Sequence, residues 1–207
     1  RPPFDRPISA GVPQGVLAGL LICPPNDWDA FLALTSGRDD IAGVILEPGG
    51  GSSGTIPTDR GFLARLREFT RAQGMILIFD EVITGFRFAP GGAQQCYEIY
   101  ADLTTLAKIL AGGLPGGAVV GGAVIMDQLA FRDDSAWNRE DRVAHAGTFN
   151  ANPLSAAAGI ATLEQLADGQ AQAKADRAGE ILRAGIAEVI EALGVDAHVY
   201  GESSIVN

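Results

Sequence analysis

Two places in this chain set a reactive side chain where its chemistry would be altered. Asp80 and Glu81 follow directly on residues 75–79 (MILIF), an unbroken apolar run. Such a run reads as a strand covered on both faces, and acids at the C-terminal end of a buried parallel strand sit at the crevice where α/β proteins bind ligands. A carboxylate held there stays ionised only beside something that neutralises it. The plainer alternative is a solvated strand end, or an acid paired with a nearby arginine such as Arg87. The second place is Lys108, in Leu106-Ala107-Lys108-Ile109-Leu110-Ala111. Aliphatic flanks imply desolvation, which favours the neutral amine, and a neutral amine is the nucleophile of Schiff-base chemistry.

A lysine can also snorkel its charge to the surface. Composition weakens that reading here: of 15 basic residues only two are lysines, Lys108 and Lys174. Surface positive charge is supplied by arginine, so each lysine needs its own explanation. Lys174 has an ordinary one, in the solvated helical sequence Gln172-Ala173-Lys174-Ala175-Asp176-Arg177. A buried lysine with a strand-end aspartate matches the two fixed needs of pyridoxal 5′-phosphate (PLP): an amine for its aldehyde and a carboxylate for its ring nitrogen. A competing reading takes ILIFDE as the magnesium-binding strand of a P-loop ATPase. That fold requires Gly-x-x-x-x-Gly-Lys-Ser/Thr, whereas the glycine-rich residues 49–55 contain no lysine and Lys108 is followed by Ile109.

The elements that must position these residues are legible in outline. Residues 41–46 (IAGVIL) read as a buried strand ended by Glu47-Pro48. After the Gly49-Gly50-Gly51-Ser52-Ser53-Gly54 loop, Thr58 can cap a helix. Phe62, Leu66 and Phe69 share one face of that helix, while Arg65, Arg67, Glu68 and Arg71 face water, and Gly74 stops it. Strand, helix and strand with short joints make a βαβ unit and so a parallel sheet. Lys108 leads into a glycine-rich turn at 111–117, and residues 118–126 read as a further buried strand. Asn152-Pro153 opens a helix to about Leu166, and a longer amphipathic helix follows over 171–193.

Length and composition bound the rest. The chain has 207 residues, is 47% hydrophobic and carries a formal charge of −10, as befits a soluble α/β core with no basic stripe for nucleic acid or anionic membrane. Cys23 and Cys96 fit no zinc or disulfide spacing, so a reducing cytoplasm is the default. The Pro-rich opening and the strand-like end, Ser204-Ile205-Val206-Asn207, read as part of a longer protein. Residues 1–194 are expected to belong to one large domain and 195–207 to begin a second.

The motifs carry a family resemblance in their order and spacing. Glu47-Pro48, Ile78-Phe79-Asp80-Glu81-Val82-Ile83-Thr84-Gly85-Phe86-Arg87, Asp102-Leu103-Thr104-Thr105-Leu106-Ala107-Lys108 with its Gly-Gly-Leu-Pro turn, and Gly147-Thr148-Phe149-Asn150-Ala151-Asn152-Pro153 together resemble the class-III PLP-dependent aminotransferases, nearest their aminomutase branch. The resemblance implies a fold-type-I large domain, a mostly parallel α/β sheet flanked by helices, with the start of a small C-terminal α+β domain. It implies amino-group transfer through a Lys108 Schiff base, by an aminotransferase or an aminomutase, with an amino acid or amino aldehyde as substrate. It implies PLP as cofactor and a homodimer with active sites shared between subunits. Asp80 would bind the pyridine nitrogen, Val82 would pack on one face of the ring, and Thr148 would reach the phosphate of the partner subunit's cofactor. His145, nearby, reads as structural.

Ile83 and Ser52 depart from the ornithine-type branch, where a glutamine and a glutamate are usual. The Gly49–Ser52 loop and the Phe149-Asn150 pair differ from a typical aminomutase. A β-amino-acid transaminase or a racemase of the same branch therefore stays open, as does a non-catalytic relative. Intact Lys108, Asp80 and Thr148 favour the enzyme.

Overall fold

Four strands form one sheet in the order β1-β2-β3-β4. In the computed structural model, which describes residues 9–207, they are β1 (Gly43–Leu46), β2 (Ile76–Asp80), β3 (Leu103–Ala107) and β4 (Gly117–Gly121). β1 and β2 pair in parallel, as do β2 and β3, and β4 closes the edge antiparallel to β3. The described residues fall in two compact units, one ending at Ala42 and the other spanning Gly43–Asn207. The first holds α1 (Gln14–Leu17) and α2 (Trp28–Thr35), the latter capped by Asp27, whose side chain accepts from the Ala30 N–H. The second holds the sheet, three short helices, α3 (Gly51–Gly54), α5 (Gly92–Tyr97) and α6 (Ala123–Met126), and three longer ones, α4 (Arg60–Gln73), α7 (Pro153–Leu166) and α8 (Gln170–Leu193). Among the described residues no helix is long and apolar enough to cross a membrane.

The βαβ unit β1-α4-β2 supplies the core. Leu63 and Leu66 of α4 and Leu77 and Phe79 of β2 are almost fully buried, and each such side chain contributes about 1.5–3 kcal/mol. The packed face of α4 is Leu63, Leu66 and Thr70, with Phe62 and Phe69 at its margins. Asp59, not Thr58, caps this helix, accepting from the Phe62 N–H at 2.8 Å. Thr58 instead donates its hydroxyl to the Glu47 carbonyl. Arg67, expected in water, is largely buried and pairs with Asp102 at 2.9 Å. The same Asp102 oxygen accepts the Leu77 N–H at 2.8 Å, so this ion pair ties α4 to the start of β2. Gly74 ends the helix in the left-handed conformation its sequence promised.

Three strand expectations need correction. Residues 41–46 do not make one buried strand: β1 begins at Gly43 and none of its residues is fully buried. β2 is buried on alternate residues only: Leu77 and Phe79 face the core, while Ile76, Ile78 and Asp80 lie on the less covered side. Their neighbour Ile45 is 62% exposed there. An all-apolar strand states that both faces can be covered, not that this stretch of chain covers both. Residues 118–126 do not make one buried strand. β4 stops at Gly121, is mostly exposed, and is followed after Gly122 by helix α6.

Helices α7 and α8 match their expected spans closely. Asn152 caps α7 by accepting from the N–H groups of Leu154 and Ser155, with Pro153 at the first helical position, where its missing N–H costs nothing.

Candidate active site

β2 and β3 deliver the site at their C-terminal ends. Their register pairs Phe79 with Thr104 and Asp80 with Thr105. In a parallel pair, residues in register share a face, so Asp80 and Thr105 stand side by side on the open side of the sheet. Asp80 Oδ1 accepts two hydrogen bonds, from the Val82 N–H at 3.1 Å and from the Thr105 hydroxyl at 3.1 Å. Its Oδ2 accepts none among the described residues, and no cation pairs with it. The carboxylate is thus anchored by one oxygen while the other remains available to a ligand.

Lys108 lies three residues beyond Thr105 along β3, at most about 10 Å of extended chain. It does not lie buried among its aliphatic neighbours as expected: the residue is exposed, while Leu106, Ile109 and Leu110 are half-buried and Ala111 is buried. The reason is the backbone. β3 ends at Ala107 and the chain turns through Lys108 in the left-handed region, φ 51°, into the 3-10 turn Lys108–Ala111. The aliphatics take the packed positions and the lysine is thrown out of the strand. A non-glycine residue in that conformation costs about 1–3 kcal/mol and persists only where its surroundings hold it.

Helix α7 holds the turn. A Cβ on Gly112 would meet the Ala158 carbonyl at 2.4 Å, and one on Gly159 would meet the Leu110 carbonyl at 2.6 Å. Glycines on both sides let helix and turn approach backbone to backbone. The Lys108 ammonium has no partner among the described residues. Lys174 is exposed too, on α8, so placement and backbone, not burial, separate the two lysines.

Glu81 takes no part in this surface. It is 1% exposed and its carboxylate is saturated. Oε2 accepts from the Thr84 hydroxyl at 2.9 Å and the Ala93 N–H at 2.6 Å. Oε1 accepts from the Gln94 N–H at 3.3 Å and its side-chain amide at 3.0 Å. The carboxylate therefore caps α5 and folds residues 81–94 into a fixed loop behind Asp80. Gly92, with φ +72°, lies so close that a Cβ there would meet Glu81 Oε2 at 2.3 Å. The Asp-Glu pair thus divides into a free acid and a buried structural one. Neither pairs with Arg87, which donates to the Ser204 hydroxyl. Nothing in the spacing of Asp80 and Glu81 marks which is which; the Gly91-Gly92 pair ahead of a short helix was the only sequence hint. Glu81→Ala is expected to destabilise the fold by about 2–5 kcal/mol, because it strands buried donors. Urea unfolding would show this as a lower midpoint.

Of the remaining expected residues, Val82 is half-buried beside Asp80 and holds it through its backbone. Ile83 is half-buried next to it. Thr148 is exposed in the turn before α7, and no hydrogen bond joins it to Asp80 or Lys108. His145 is exposed. Ser52 donates its N–H to Glu47 Oε1 at 3.0 Å, so the glycine-rich loop closes on the Glu-Pro strand end. A cavity of about 300 Å³ is lined by Gly49, Phe88, Tyr200, Glu202 and Ile205 among others, and by none of the expected site residues. On one side of it Tyr97 donates its hydroxyl to Glu202 at 2.7 Å. Burial first, and then that bond, raises the phenol above its ordinary pKa, so it stays a donor.

Comparison with known proteins gives one consistent picture. The family model for class-III aminotransferases matches residues 29–199. The chain is 41% identical over 197 residues to the glutamate-1-semialdehyde 2,1-aminomutase of Hyperthermus butylicus, covering 95% of this chain and 44% of that protein. Its fold superposes with a TM-score of 0.83 on an omega-transaminase from Sphaerobacter thermophilus, at 39% identity, over 97% of this chain and 44% of the other. A transaminase solved with PLP bound gives a TM-score of 0.84 at 34% identity, over 96% of this chain and 45% of the other. The chain thus spans a little under half the length of the relatives it matches.

Proposed function

The chain belongs to the class-III aminotransferase family, and from that premise we propose that it forms the lysine-bearing part of a PLP-dependent enzyme that moves an amino group, a transaminase or an aminomutase. The observation that carries the reading is the pair at the ends of β2 and β3: among the described residues, an aspartate with one oxygen pinned and one open, and a lysine without a partner. That donor and acceptor set fits PLP. Bound there, PLP would supply an aldehyde that captures amines and a protonated ring that withdraws electrons from the substrate carbon. Asp80 Oδ2 would hold the proton on the ring nitrogen. Lys108 Nζ would hold the aldehyde carbon and would serve as the base that takes up and returns the proton at the substrate's α-carbon. Val82 offers its apolar side chain to one face of the ring. The exposure of Lys108 in this chain leaves its approach open, so the parts that shield it from water come from the rest of the protein or from a second subunit.

Borohydride reduction of the whole protein in the presence of PLP, followed by peptide mapping, tests the reading. A pyridoxyl group on Lys108 is expected; one on Lys174, or none, overturns it.

The homodimer belongs to the same proposal and is supported by Thr148, whose exposed hydroxyl is free to meet a phosphate held by the partner. A mixed dimer of Thr148→Ala and Lys108→Ala protomers is expected to keep about half the normal activity, since one site would collect both defects and the other neither. Activity near zero would show that both residues serve the same subunit's site. Residues 195–207 are taken as the approach to the small domain, and a cytoplasmic location belongs to the same proposal. Substrates are amino acids or amino aldehydes. The likeness to an aminomutase in sequence and to transaminases in structure supports amino transfer as the shared chemistry.

A further inference from the structure

We propose that Thr105 is a positioning residue that aims Asp80 at the cofactor ring nitrogen; this rests on the proposed function and deepens it. The Thr105 hydroxyl donates to Asp80 Oδ1 at 3.1 Å, the same oxygen that takes the Val82 N–H at 3.1 Å. Two donors converging from different directions fix both the position and the rotation of the carboxylate. One donor alone would leave it to swing about its last torsion, which is broad for a carboxylate. With both donors on Oδ1, the open coordination lies at Oδ2.

The arrangement follows from strand register and not from chance proximity. Thr105 is the in-register partner of Asp80 across the β2–β3 pair, and its own carbonyl accepts the Glu81 N–H at 3.0 Å. On the opposite face, Thr104 accepts the Gln94 side-chain amide at 2.9 Å, and that amide also donates to Glu81. Consecutive threonines therefore serve opposite faces: Thr104 locks the strand pair from the core, and Thr105 presents its hydroxyl to the site. β-branching limits Thr105 to few rotamers, which suits a donor whose direction matters.

Valine has the shape of threonine without the hydroxyl, and serine keeps the hydroxyl without the methyl. The experiment measures PLP affinity, the visible circular dichroism of bound PLP and the thermal midpoint for the whole protein and its Thr105→Val and Thr105→Ser variants. Thr105→Val is expected to weaken PLP binding about tenfold, as befits one charge-assisted hydrogen bond. It should also reduce the dichroism, which reports how rigidly the ring is seated, with the thermal midpoint unchanged. Thr105→Ser should restore both signals. Parental affinity and dichroism in Thr105→Val overturn the role of Thr105 and leave the proposed function standing. So does an equal loss in Thr105→Ser, or a loss that tracks a fallen thermal midpoint. Failure of the unsubstituted protein to bind PLP overturns the proposed function and this inference with it.

Discussion

Replacing Lys108 by alanine is expected to remove turnover and the borohydride-trapped pyridoxyl group while leaving the fold in place. The side chain is exposed and unpartnered among the described residues, so its loss strands no buried group. What would disappear, under the proposed function, is the amine for the aldehyde and for the proton. Loss of the proton-transfer role alone is worth about 10²–10⁴-fold, and loss of the anchor adds to it. Lys174 lies exposed on α8 and is not expected to replace Lys108. A control separates chemistry from backbone strain. At φ 51° alanine keeps the cost of the left-handed conformation, whereas glycine is released from it. Lys108→Gly should therefore be more stable than Lys108→Ala by about 1 kcal/mol, with both equally inactive. Appreciable turnover in either variant would show that another amine serves the aldehyde.

Asp80→Asn is expected to cost at least ~100-fold in turnover, the scale of removing a positioned electrostatic group. The substitution is nearly isosteric, and the amide oxygen can still accept from Val82 and Thr105. In that orientation its NH₂ occupies the Oδ2 position, where it is a donor and carries no negative charge. Under the proposed function, a ring nitrogen facing it would lose the partner that keeps it protonated, and the ring would draw electrons from the substrate carbon less strongly. Measuring turnover alongside bound cofactor distinguishes this from loss of PLP. Near-normal turnover with PLP retained would mean that a different residue meets the ring nitrogen.

The contrast between Asp80 and Glu81 shows where sequence reading stops. The two acids stand together at the end of one strand, and their identities say nothing about which is open. Alternation along β2 puts Asp80 on the less covered face. Glu81 turns inward, where Thr84, Ala93 and Gln94 donate to it. Two of those donors, Ala93 and Gln94, are 12 and 13 residues away, on a short helix whose start no periodicity announces. Arg67 teaches the same lesson, placed among water-facing arginines by its helical position yet claimed by Asp102, 35 residues on.

By itself the sequence determined the βαβ core with its parallel strands β1 and β2, the Gly74 stop of α4, the Asn152-Pro153 start of α7 and the spans of α7 and α8. These depend on apolar periodicity and on glycine and proline punctuation, both written locally along the chain. Tertiary structure alone decided that Lys108 is exposed, that Asp80 keeps one oxygen open, and that Thr105 sits beside it. Aliphatic neighbours bury a lysine only if the backbone continues straight, and here α7 closes on the glycines of the next turn and holds Lys108 at a left-handed angle. The pairing of Asp80 with Thr105 is a matter of register between strands 25 residues apart in sequence, and register is set by how β2 and β3 pack together, not by any signal within either one.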